Sequence, residues 1–103
     1  GRKAFHNAID VAAPTGTPVR AFGGGTVENS SYSDSKGYYI VINHGNGLKT
    51  EYLHLSKRLV FKGDSVNVGD RIGLVGNTGR STGPHLHFSI LEYGKYVNPL
   101  NYL

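Results

Sequence analysis

The chain contains no cysteine and no methionine among its 103 residues. Without thiols it can form no disulfide and offer no thiolate ligand. Any bound metal must therefore rest on imidazole and carboxylate groups. Nothing approaches the roughly 18 consecutive apolar residues of a membrane-spanning helix, and the start carries no signal-peptide pattern. The sequence opens on Gly1 rather than methionine, which reads as a domain cut from a longer protein. The removed part can carry any targeting segment. Eleven Lys and Arg against seven acidic residues give a net charge of +4, but the basic residues are scattered. No basic run or aromatic-interleaved array marks a nucleic-acid binder. A solvated surface with a weak pull toward polyanions is the expectation.

Glycine is plentiful, with 15 residues, and together with Asn and Asp it punctuates the chain every eight to twelve positions. Alternating apolar residues fill the intervals, which is the all-β pattern. It predicts strands near Ile9–Val11, Val19–Ala21, Gly25–Ser31, Tyr38–Asn43, Leu48–His54, Arg71–Val75, Leu86–Leu91 and Lys95–Val97. His44-Gly45-Asn46-Gly47 predicts a hairpin, because Asn-Gly tolerates the positive φ angles of such turns. Two Gly-Asp steps, Gly63-Asp64 and Gly69-Asp70, each predict a chain reversal. No segment holds a sustained helical period, although Leu53–Leu59 has room for one short helical turn. The expected architecture is a single, mainly antiparallel β domain.

The chemistry gathers around five residues. His85 and His87, in Gly83-Pro84-His85-Leu86-His87-Phe88, are two positions apart and share one face of an extended strand. Leu86 and Phe88 then face the core. Upstream lie His6-Asn7-Ala8-Ile9-Asp10 and Tyr52-Leu53-His54-Leu55. Fully extended, His6 and Asp10 would stand roughly 13 Å apart at their Cα atoms, too far to share an ion without a bend near Asn7-Ala8. The residues themselves point to a zinc site drawn from His6, Asp10, His54, His85 and His87, without fixing which bind.

Other signals are set aside. Gly79-Arg80-Ser81-Thr82-Gly83 has the spacing of a serine-hydrolase elbow, but that elbow needs a helix behind it and Pro84 with an alternating strand follows. Ser81 is expected to be loop architecture that can still line the cleft. Gly23-Gly24-Gly25 lacks the Lys of a phosphate loop and reads as a turn. His44 is expected to be structural, and Tyr32, Tyr38 and Tyr39 fit half-buried sheet positions.

Taken together these stretches resemble the M23 peptidase family, the lysostaphin- or LytM-type zinc metalloendopeptidases of bacterial cell-wall peptide. The family's His-x-x-x-Asp is His6 to Asp10, its Tyr-x-His-Leu is Tyr52 to Leu55, and its His-x-His is His85 to His87. Ile9–Pro14, Gly16–Val19, Val41–Gly45 and Gly76–Phe88 match as well, so the resemblance runs along essentially the whole chain. One departure is Ala8, where the family usually has glycine two residues before the aspartate.

The resemblance implies a LytM-like, barrel-sandwich-type β domain over residues 1–103, with a groove over the sheet that holds one zinc ion. It implies His6, Asp10 and His87 as zinc ligands, and His54 and His85 as acid–base and oxyanion-stabilising groups beside them. Zinc with three protein ligands keeps an open position, and lowers the pKa of its water to about 7. His-Glu-x-x-His, whose Glu is the base elsewhere, is absent. Glu51 stands an odd three residues from His54, which places it on the opposite strand face. Histidine is left as the acid–base candidate. The implied activity is hydrolysis of peptide bonds in peptidoglycan stems or cross-bridges. The expected partner is peptidoglycan peptide, with neither nucleic acid nor membrane, and the domain is expected to be monomeric. The expected setting is extracellular, in the cell wall or periplasm, or else a phage virion or endolysin.

Two other classes share parts of this pattern. A degenerate LytM-type domain that binds or activates without cutting usually lacks one of the five site residues, and all five are present here. A biotinyl- or lipoyl-type carrier shares Gly-Asp turns, but presents a tip lysine commonly beside methionine, and Lys49 lies past the Asn46-Gly47 turn.

Overall fold

The computed structural model describes residues 7–103. Within them nine strands form one sheet: β1 (Ile9–Ala12), β2 (Pro18–Arg20), β3 (Gly25–Ser33), β4 (Gly37–Gly45), β5 (Leu48–Arg58), β6 (Ser65–Val66), β7 (Arg71–Val75), β8 (His85–Glu92) and β9 (Lys95–Val97). All pairings are antiparallel, in the order β1-β8-β5-β4-β3-β6, with β7 joining β2 to β5 and β9 extending β8. The all-β expectation holds. Sequence periodicity missed the two-residue β6 and the 3-10 turn Pro99–Tyr102, both too short to show a period.

Asn46 and Gly47 form the tip of the β4–β5 hairpin, with φ of 53° and 80°. Gly45 pairs with Leu48 across the tip. Both central residues lie in the left-handed region that a two-residue hairpin demands. Each Gly-Asp step also reverses the chain. The Asp64 carboxylate accepts from the Phe61 N–H and the Asp70 carboxylate from the Asn67 N–H, both at 2.8 Å. These turns then hydrogen-bond to β3 at Val27 and to Ala21 beyond β2.

The long strand β5 governs the fold. Its first half, Leu48–Leu53, pairs with β8, and its second half, Leu55–Arg58, pairs with β7. The short helical turn expected within Leu53–Leu59 is therefore absent, because both flanks of this stretch find ladder partners. Against β4, Tyr38 is opposite Leu55 and Ile40 is opposite Tyr52, so Leu53 and His54 together face Tyr39. That is a β-bulge. His54 sits in it at φ 65°, an uncommon conformation for a residue with a Cβ.

The bulge resets the strand's alternation. Tyr52 and Leu55, three positions apart, both enter the core, where they join Val19, Val27, Ile40, Ile42, Val66, Ile72, Val75, Phe88 and Ile90. Strands β2, β6 and β7 thus share one core with β3, β4, β5 and β8. Ile40, Ile42, Leu55, Ile72 and Ile90 are wholly sealed from water, each contributing roughly 1.5–3 kcal/mol by burial. The opposite face of β5 and β8 carries the chemistry.

Candidate metal centre and its flanking histidines

Strands β1, β5 and β8 lie side by side, and register decides which side chains meet. Asp10 is directly opposite His87 in the β1–β8 ladder, and His87 is opposite Leu53 in the β8–β5 ladder. Directly opposed residues share a sheet face, so Asp10, Leu53, His85 and His87 lie on one side and Leu86 and Phe88 on the other. His54, turned by the bulge, joins the first side. Its ring centroid lies 5.1 Å from that of His85 and 5.9 Å from that of His87.

The three imidazoles offer nitrogens within 4.8 Å of one another. His87 Nδ1 donates to Asp10 Oδ1 at 2.7 Å, and His85 Nε2 lies 3.5 Å from the same oxygen. Four of the five residues singled out from sequence, Asp10, His54, His85 and His87, therefore converge. His6 lies outside the described residues. The backbone bends at Asn7, before β1 begins.

The imidazoles fall into two kinds by what holds Nδ1. His54 Nδ1 lies 2.7 Å from the Thr78 carbonyl and His85 Nδ1 lies 2.7 Å from the Gly83 carbonyl. A carbonyl only accepts, so each Nδ1 carries a proton and each neutral ring keeps its lone pair on Nε2. Ser81 adds its hydroxyl 3.3 Å from His85 Nδ1 while donating to Gly83, so it braces the loop beside the cleft. His87 Nδ1 instead faces a carboxylate, the arrangement in which a cation can replace the shared proton. This all-nitrogen and oxygen donor set fits zinc, whose sites accept His and Asp ligands readily.

Burial holds the His54 imidazole below its ordinary pKa. The Thr78 hydrogen bond opposes that shift, and the neighbouring His85 and His87 reinforce it. A lowered value keeps His54 neutral and able to accept a proton at neutral pH.

Thr78 was not singled out from sequence. It acts through its carbonyl, which no residue type advertises. The Thr78 hydroxyl donates to the Leu55 carbonyl at 2.6 Å and accepts from the Tyr38 N–H at 3.1 Å, which ties the β7–β8 loop to both β5 and β4. Gly79, at φ 73°, lies so close to Gly37 that an added Cβ would overlap the Gly37 backbone nitrogen.

Glu51 corrects the strand-face expectation. It pairs with Ser89, two places along from Leu53 and His87, and so shares their face rather than the opposite one. Simple alternation failed because the bulge inserts one extra residue before His54. The Glu51 carboxylate accepts from the Tyr96 hydroxyl at 2.9 Å and lies 3.7 Å from Lys36 Nζ.

His44 stands apart from the cluster, as expected. A directed chain runs from the Phe22 N–H to the Tyr52 hydroxyl, to the Thr50 hydroxyl, to His44 Nε2, with His44 Nδ1 donating to Gly24. A larger cavity of about 430 Å³ adjoins His44, lined by Gly25, Thr26, Glu28, Asn43 and Gly45, away from the histidine cluster.

A family model described as Peptidase family M23 matches residues 4–99. The chain is 52% identical over 99 residues to the peptidoglycan DD-endopeptidase ShyA of Vibrio cholerae, covering 96% of this chain and 23% of that protein. It is 46% identical over 97 residues to the DD-carboxypeptidase/endopeptidase Mpg of Neisseria meningitidis, covering 94% of this chain and 22% of that protein. The chain spans about a quarter of the length of the curated relatives it matches. Among solved structures, a zinc-containing peptidase from Vibrio cholerae superposes with a TM-score of 0.88 at 47% identity, over 90% of this chain and 29% of that one. The catalytic domain of lysostaphin from Staphylococcus simulans does so with a TM-score of 0.88 at 34% identity, over 94% of this chain and 77% of that one.

Proposed function

The chain belongs to peptidase family M23, and from that premise we propose that residues 1–103 are the catalytic domain of a zinc-dependent endopeptidase that hydrolyses peptide bonds in bacterial peptidoglycan. The observation that carries this reading is the Asp10–His87 contact at 2.7 Å, flanked by two histidines whose Nδ1 atoms are held by backbone carbonyls. His6, Asp10 and His87 would hold the metal, which when bound supplies a Lewis acid and an activated water.

The chain's own residues do the rest. The His54 and His85 rings lie with centroids 5.1 Å apart and each keeps an Nε2 lone pair, so one can accept a proton while the other, once protonated, can donate a hydrogen bond to a developing oxyanion. The Thr78 and Gly83 carbonyls fix the tautomer that makes this available. The substrate lies on the sheet face that carries Glu51, Leu53, His87 and Ser89. The setting is extracellular or periplasmic, where cell-wall peptide is found.

The names of the relatives, peptidoglycan DD-endopeptidases and lysostaphin, support a wall-peptide substrate. Purified walls with glycine bridges and walls with direct stem cross-links, digested separately and read by mass spectrometry, test the reading. New peptide termini in at least one wall, lost on chelation and restored by zinc, are expected. Intact cross-links in both walls with zinc supplied would overturn it.

A further inference from the structure

Past its bulge β5 pairs with β7 instead of β8, and its last residues build a charged site outside the histidine cluster. A cavity of about 230 Å³ opens there, lined by Tyr38, Ser56, Lys57 and Arg58. It shares no residue with the cavity beside His87. Two of its lining residues are cations and none is acidic. Among the described residues neither Lys57 nor Arg58 forms an ion pair. Asp64, in the turn that follows Phe61, has its carboxylate engaged by the Phe61 N–H at 2.8 Å.

Arg58 is held in place without a counter-charge. Its guanidinium carbon lies 5.2 Å from the centre of the Tyr38 ring and 5.4 Å from that of Phe61, both within cation–π range. Tyr32 braces Tyr38 from the side, with ring centroids 5.0 Å apart. One guanidinium N–H donates to the Ser30 carbonyl at 2.8 Å. The Ser30 hydroxyl donates to the Val60 carbonyl at 2.8 Å, which fastens the segment that carries Phe61. A guanidinium has five N–H donors, so four are left without a partner among the described residues. Fixed by two rings and a carbonyl, the fork loses little further freedom on meeting a ligand.

We propose that this pocket binds a phosphate monoester, with Arg58 gripping two oxygens and Lys57 completing the charge. The charge count carries the choice. A phosphate monoester holds about −1.5 to −2 at neutral pH and offers three strong acceptor oxygens, which matches one guanidinium and one ammonium. A carboxylate or a phosphodiester brings a single negative charge and leaves one cation uncompensated. The fork takes two oxygens side by side, and the ammonium acts as a point charge on the third. The pocket stands independently of the endopeptidase reading, since none of its lining residues belongs to the histidine cluster.

Amide NMR titration of the zinc-loaded protein with methyl phosphate, dimethyl phosphate and acetate, at constant ionic strength, tests the pocket. Methyl phosphate should bind about tenfold more tightly than the other two, with its largest shifts at Ser56, Lys57 and Arg58. Arg58→Gln should weaken it about tenfold and Lys57→Gln about threefold. Lys57 is exposed, so its variant gives a reading even if Arg58→Gln folds poorly. Affinity unchanged in either folded variant would place the phosphate elsewhere, as at the metal, and overturn the pocket. Equal affinity for all three probes would overturn it too. Two further arms identify the source of the phosphate, and either positive result upholds the pocket. Capture by phosphatidylcholine vesicles doped with phosphatidate assigns a lipid headgroup. Binding of glucose 6-phosphate without vesicle capture assigns a sugar phosphate.

Discussion

The carbonyl oxygen of Thr78 accepts a hydrogen bond from the His54 ring at 2.7 Å, across 24 residues of chain. His54 is thus aimed from two sides, by its own left-handed backbone in the β5 bulge and by a loop from the far end of the sequence. Replacing Thr78 with Val keeps the branched shape but removes the hydroxyl that ties this loop to Leu55 and Tyr38. T78V should cost about 1–3 kcal/mol of stability. It should also lower kcat roughly ten- to hundredfold through loss of alignment, with a smaller change in KM. Zinc content should not change. An unaltered kcat in folded T78V would mean that the carbonyl does not set the histidine's aim.

The proposed division between metal-holding and proton-handling residues is tested residue by residue. His6→Ala, Asp10→Ala and His87→Ala should each lose zinc and activity together, as read by elemental analysis beside a cleavage assay. His54→Ala and His85→Ala should retain zinc and cut about 10²–10⁴-fold more slowly. His85 and His87 give the sharpest comparison, since they share one strand face. An empty site in His85→Ala with metal retained in His87→Ala would reverse the assignment.

The directed chain from Phe22 to Gly24 predicts a purely structural defect. T50V removes the only acceptor of the Tyr52 hydroxyl proton among the described residues, inside a core where Tyr52 is 1% exposed. The stranded donor should cost about 1–3 kcal/mol, and each kcal/mol lowers Tm by roughly 4–8 °C in a domain of this size. Metal content should be that of the parent. A melting curve that overlays the parent's would show that the network contributes nothing.

Tyr96 gives an alkaline signature. Burial, with the hydrogen bond to Glu51 and that carboxylate's charge, pushes its phenol up to about 12. A folded value above the unfolded value of about 10 means that the folded state holds the proton more tightly. The stabilisation is complete below pH about 10 and is lost as pH rises toward about 12. Thermal melts across that window should fall more steeply for the parent than for Tyr96→Phe. Parallel curves would show that the phenol is not held.

Local chemistry along the chain was enough to determine a great deal. Turn residues and period-two alternation placed eight of the strands. The spacing of His85 and His87 put both on one face whatever they pack against. Asn46-Gly47 fixed its own hairpin, because left-handed φ at two successive residues is a local demand. Asp10, His54, His85 and His87 were legible as a group because their residue types are scarce and chemically distinctive.

What the sequence left undetermined depends on partners far along the chain. The register that sets Asp10 opposite His87 needs β1 and β8 side by side. The extra residue at Leu53–His54 is invisible to alternation, since it exists only against β4. It reverses the face of Glu51 relative to His54 and lets β5 leave β8 for β7. The tautomers of His54 and His85 are set by backbone carbonyls, which every residue possesses. For His54 only folding decides which carbonyl arrives, because the assembled sheet brings Thr78 to its ring across 24 residues, whereas Gly83 reaches His85 from two residues away.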